Sequence, residues 1–172
     1  MRSTVPRMFA CFVLVLLSGC GATSDGDSGR VAVGRRAPNF SLKSLDGSTV
    51  TSRSLEGSIV VLNFWATWCA PCIKEIPDLK QFAANTDAKV IGIALDEDGL
   101  KAVKPFAARF EIDKSEIYIV LLGNQDLFRR FNGLGIPYTL VLDRSQRIVK
   151  IYRGPATRES LEEDLSLINR GA

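Results

Sequence analysis

Two cysteines in this chain have the spacing to do redox chemistry. Cys69 and Cys72 lie in Trp68-Cys69-Ala70-Pro71-Cys72, directly after the apolar run Ile59-Val60-Val61-Leu62-Asn63-Phe64-Trp65. The run predicts a buried strand. Ile73, Ile76, Leu79 and Phe82 after it recur at the spacing of one apolar helix face. Cys69 therefore falls where a strand hands over to a helix. A sulfur there faces unpaired backbone N–H groups and the positive end of the helix dipole, which favour the attacking thiolate. Cys72, three residues on, is placed to resolve a mixed disulfide by closing an intramolecular one. Thiol–disulfide exchange is the leading chemistry for such a pair.

Other uses of the pair fit less well. The chain has 172 residues, four cysteines and no histidine. Imidazole metal sites, Ser-His and Cys-His catalysis, and a copper site with a His ligand are excluded. The net charge of +3 is dispersed, with no basic block of the kind that binds nucleic acid. A structural disulfide across two intervening residues closes a very small loop and constrains the unfolded chain little.

The first residues read as a targeting segment. Arg2 and Arg7 form a basic start, and residues 9–17 form an apolar stretch too short to span a bilayer comfortably. It ends in Leu17-Ser18-Gly19-Cys20, which resembles a bacterial lipobox. The resemblance implies cleavage before Cys20 and lipidation of its thiol. Residues 1–19 then form a lipoprotein signal peptide, and residues 20–32, rich in Gly, Ser and Asp, a lipidated flexible tether. Loss of Arg2 and Arg7 takes the side-chain charge from +3 to +1. Cys11 goes with the signal and Cys20 with the lipid, so Cys69 and Cys72 alone remain. Zinc would need two further ligands.

The elements that must position the dithiol follow. Asp46-Gly47 between residues 40–43 and 48–51 predicts a β-hairpin ahead of the core. A helix over 70–84 contains Pro77, a strand covers 89–95, and a helix covers 100–110 with Pro105 inside it. Residues 116–122 fit a short strand or the approach to a small helix at 125–131. Strands at 138–142 and 147–152 form a hairpin, and a last helix starts near Thr157 with Leu161, Leu165 and Ile168 on one face. This order gives an α/β domain over 33–172, with a mixed central sheet, helices on both faces and an N-terminal β-hairpin extension.

With these motifs assembled, the chain resembles the thioredoxin superfamily, and within it the membrane-tethered TlpA/ResA/DsbE-like thiol-disulfide oxidoreductases. The resemblance rests on Val33-Gly34-Arg35-Arg36-Ala37-Pro38-Asn39-Phe40, Leu45-Asp46-Gly47, the stretch from Val60 to Cys72, Gly135-Ile136-Pro137-Tyr138-Thr139 and Val141-Leu142-Asp143. It implies a thioredoxin fold, Cys69 as the attacking thiol and Cys72 as the resolving one. It implies a cis bond before Pro137, with Ile136 pairing to substrate backbone beside Trp68, Ala70 and Pro71. Glu75, three residues after Cys72, matches a glutamate that tunes the thiols and assists proton transfer. Asn63 stands where thioredoxin carries a buried Asp, and the usual lysine partner is not evident at residues 91–94. Trp65 and Trp68 are expected to pack around the site.

The implied function is net reduction of disulfides in exported proteins, apocytochrome c among them. Electrons would come from a membrane thiol transporter; no cofactor and no metal are implied. Two alternatives stand beside it. Peroxiredoxins share the Val-Gly-x-x-Ala-Pro-x-Phe opening, but carry Thr three positions before their cysteine, where this chain has Ala66. An oxidase remains open because Ala-Pro between the cysteines does not fix redox direction.

Overall fold

The computed structural model describes residues 31–113 and 116–171. Cys11, Cys20, the signal segment and most of the tether lie outside the described residues. Val31 is already buried in the core.

The strand before the dithiol, β3 (Val60–Trp65), is buried at every position. Its residues alternate between two apolar clusters, as the period of a strand requires. Val61 and Trp65 face one cluster. Val60, Leu62 and Phe64 face the other. β3 lies inside a seven-stranded mixed sheet built with β1 (Ser41–Ser44), β2 (Thr49–Thr51), β4 (Lys89–Ala94), β5 (Tyr118–Leu122), β6 (Tyr138–Leu142) and β7 (Ile148–Arg153). Their order is β2-β1-β5-β4-β3-β6-β7. β3, β4 and β5 run parallel, and the other neighbours pair antiparallel.

The hairpin β1–β2 joins this sheet through β5. Gly47 closes its turn at φ +88°, a backbone region open to glycine. Residues 116–122, which by sequence fitted a short strand or the approach to a small helix, contain the strand Tyr118–Leu122 because β1 and β4 flank it on both sides.

Among the described residues four α-helices cover the two faces: α1 (Ala70–Asn85), α2 (Leu100–Arg109), α3 (Gln125–Arg130) and α4 (Arg158–Arg170). Ile76, Leu79 and Phe82 of α1, Val103 and Ala107 of α2 and Leu161 of α4 fill one side of the sheet. Leu127 and Phe128 of α3 fill the other, where Phe64 packs among Phe128, Phe131 and Tyr138. Pro77 and Pro105 both lie inside their helices. A capping box of Thr157 and Ser160 starts α4.

Candidate active site

The dithiol sits at the first turn of α1, closed as a disulfide with the two Cα atoms 5.3 Å apart. Cys69 is the N-cap residue, and its Sγ accepts from the Cys72 N–H at 3.3 Å. Pro71 in the first turn leaves no useful donor missing, because first-turn N–H groups have no partner within the helix. Cys69 is 5% exposed and Cys72 is fully buried, so of the two cysteines only Cys69 reaches the surface. Ala70 and Pro71 are exposed beside it.

The approach loop is fixed from below. The Cys69 N–H donates to the Ala66 carbonyl at 3.1 Å. Buried Asp96, just beyond β4, accepts from the Thr67 N–H at 3.1 Å and from the Thr67 hydroxyl. Two tryptophans on this approach behave differently. Trp65 is buried against Phe106 at 5.2 Å between ring centroids, and its indole N–H has no hydrogen-bond partner among the described residues. Trp68 is 69% exposed and stands out beside Cys69.

Beneath the dithiol lies a buried polar layer. Glu75, one helical turn after Cys72, is buried. Its Oε1 accepts from Asn63 Nδ2 at 2.7 Å, and its Oε2 accepts from the Ala156 N–H at 3.0 Å. Asn63 Nδ2 also donates to Thr139 Oγ1 at 2.9 Å, across the β3–β6 pair in which Asn63 faces Thr139. Burial pushes the Glu75 carboxyl up from 4.5 to about 7, although both hydrogen bonds pull the other way; the nearby charge of Asp78 adds to the rise. Tyr118 of β5 is also buried in this region, and its phenol is raised above its ordinary value by burial and then by the Glu75 charge. The acid of this layer comes from the helix, and the strand supplies the amide that holds it.

At the entry to β6 the Ile136–Pro137 bond is cis. Pro137 is buried, and half-buried Ile136 packs against the cluster that contains Cys69 and Cys72. The Pro137 carbonyl accepts from the Gly154 N–H at 3.0 Å, so the start of β6 is tied to the end of β7. Among the described residues no group of three or more His, Cys, Asp or Glu is placed to hold a metal ion.

Ala156 and Asp96 were not singled out by sequence, and Thr139 stood there only as the last residue of a motif, with no role of its own. A signal existed for Thr139: it is the one polar residue in an otherwise apolar strand, as Asn63 is in β3. Asp96 and the Ala156 N–H carry no such mark.

Residues 32–165 match the Redoxin family. The chain belongs to the Redoxin family. Among its relatives, the thiol-disulfide oxidoreductase ResA of Geobacillus thermodenitrificans is 30% identical over 169 residues, 94% of each chain. The thioredoxin-like protein YneN of Bacillus subtilis is 31% identical over 138 residues, 78% of this chain and 79% of that protein. A solved thiol:disulfide interchange protein of the thioredoxin family from Chlorobium tepidum superposes with a TM-score of 0.67 at 33% identity, covering 80% of this chain and 99% of that one. This member of the Redoxin family has the thioredoxin fold and is a thiol-disulfide oxidoreductase of the TlpA/ResA/DsbE-like kind.

Proposed function

We propose that this oxidoreductase is lipid-anchored through Cys20, faces the extracytoplasmic side, and works as a net reductase of exported proteins, with apocytochrome c cysteines among its substrates. The lipobox-like Leu17-Ser18-Gly19-Cys20 and the Gly/Ser/Asp-rich tether support the anchor. The similarity to proteins named thiol-disulfide oxidoreductase ResA supports the exchange chemistry, and the reducing direction is the one that the family resemblance of the sequence implies. The observation that carries the mechanism is the unequal burial of the two cysteines at the α1 N-terminus.

Each residue has a role in this reading. In the dithiol form the Cys69 thiolate attacks one sulfur of a substrate disulfide. A Cys69–substrate bond forms, the substrate S–S bond breaks, and the first substrate sulfur leaves as thiolate and takes up a proton. The Cys72 thiol then loses its proton, and its sulfur attacks Cys69 Sγ. The mixed disulfide breaks and the second substrate thiol departs protonated. The substrate gains two electrons and two protons, and Cys69–Cys72 ends as the observed disulfide. Glu75, on the turn after Cys72 and poised near neutral pH, serves as the acceptor for the Cys72 proton. Backbone at Ile136, at the entry to β6, docks the substrate as an added strand, with Trp68, Ala70 and Pro71 bordering it. A membrane thiol-electron transporter reduces the pair again.

Trapping tests these roles. Cys72→Ser is expected to accumulate mixed disulfides through Cys69, and Cys69→Ser to trap very little. The adducts are expected in the membrane fraction, and Cys20→Ala is expected to release the protein or leave its signal uncleaved. Equal trapping by both serine variants would overturn the assigned roles. Robust peroxide consumption by Cys72→Ser, with no disulfide exchange by the wild type, would favour the peroxiredoxin reading.

A further inference from the structure

A cavity of about 340 Å³ opens beside the cis-proline, between the loop entering β6 and the end of β7. Its walls include Leu134, Ile136, Pro137 and Tyr138, and the one charged side chain lining it is Arg153. Leu134 is 94% exposed, so this wall presents apolar surface directly to solvent.

Arg153 is held in place yet left chemically open. It pairs with Tyr138 across β6–β7, one residue after Pro137. Its guanidinium lies 5.8 Å from the Tyr138 ring centroid. That ring is itself anchored, because the Tyr138 hydroxyl donates to the Phe131 carbonyl at 3.1 Å. A guanidinium resting on a ring keeps its N–H edge free for a planar anion. Arg36, Arg129, Arg144 and Arg158 each meet a carboxylate within the molecule. Arg153 meets none within ion-pair distance among the described residues.

We propose that Arg153 is a specificity-determining residue that selects protein substrates with an Asp or Glu close to the disulfide-bonded cysteine. The inference rests on the docking reading above. A substrate backbone laid along Ile136 carries a flanking side chain into this cavity. A carboxylate there meets the guanidinium, with the apolar surfaces of Leu134 and Ile136 beside the pair. A neutral side chain gains only the apolar contact, and a lysine is repelled.

The test uses peptides with one intramolecular disulfide, in which Glu or Gln is scanned through the two positions on each side of one cysteine. Pre-reduced full-length protein in excess reduces each peptide in a single turnover, and the rate ratio of Glu to Gln peptides is read within each variant. At one scanned position at least, the wild-type ratio is expected to be about threefold to tenfold, the scale of a partly exposed charge pair, and to shrink with added salt. Arg153→Gln should bring the ratio close to one, and Arg153→Glu should invert it. A wild-type ratio of one at every position, or a ratio that persists in both variants, would overturn the proposal while leaving the exchange activity intact. Failure of the wild type to reduce any peptide would remove the docking reading, and this proposal with it.

Discussion

Glu75 accepts two hydrogen bonds that favour its charged form and suffers a burial that disfavours it, and the burial prevails. The consequence for stability has a definite sign. With a native value near 7 against an ordinary 4.5, the unfolded chain releases this proton first as pH rises. The stabilisation by protonated Glu75 is complete below about pH 4.5, is lost as pH climbs to about 7, and is constant above that. The span corresponds to about 3 kcal/mol as an upper scale. Denaturant titrations of the oxidised protein are expected to show the wild type losing more stability than Glu75→Gln between pH 4.5 and 8. Parallel curves would show that Glu75 titrates as an ordinary surface acid. The absolute stability of Glu75→Gln should also fall, since its amide nitrogen would face a donor at Asn63 or at the Ala156 N–H.

At the scale of elements, the site is a strand-to-helix junction whose underside is filled by large rings. Gly92 of β4 faces this filling: a Cβ there would stand 2.9 Å from Trp65 Nε1 and 3.0 Å from Tyr118 Cε2. Both are atoms of buried rings. Gly92→Ala is therefore expected to cost about 1–3 kcal/mol, read as a lowered denaturant midpoint with an unchanged slope. An unchanged midpoint would mean that the Trp65 ring shifts freely. The elements themselves were legible because apolar periodicity reports burial, and burial is what the layers impose. Residues 116–122 stayed open, since a short apolar run looks the same in either state until its neighbours are known. The polar layer was half legible. Asn63 and Glu75 lie twelve residues apart on adjoining elements. Their partners Thr139 and Ala156 lie 76 and 81 residues away in sequence, and only the closed sheet brings them together.

Across the whole molecule, the sheet order puts β3 between β4 and β6, which sets the dithiol helix on one strand and the cis-proline at the start of the next. The paired cysteines with a strand before and a helix after were readable from sequence alone. The cavity lined by Arg153 was not, because it forms where the ends of β6 and β7 meet. The central claim is that Cys69–Cys72 is an exchanging dithiol and not a structural cross-link. Its most direct test is the reduction potential of that pair, obtained by equilibrating the full chain in glutathione and dithiothreitol buffers and identifying alkylated Cys69 and Cys72 by peptide mass. A reversible two-electron transition between about −120 and −270 mV, the range of exchange-active dithiols, is the predicted result; a pair that stays oxidised in buffers poised at about −300 mV would contradict the account.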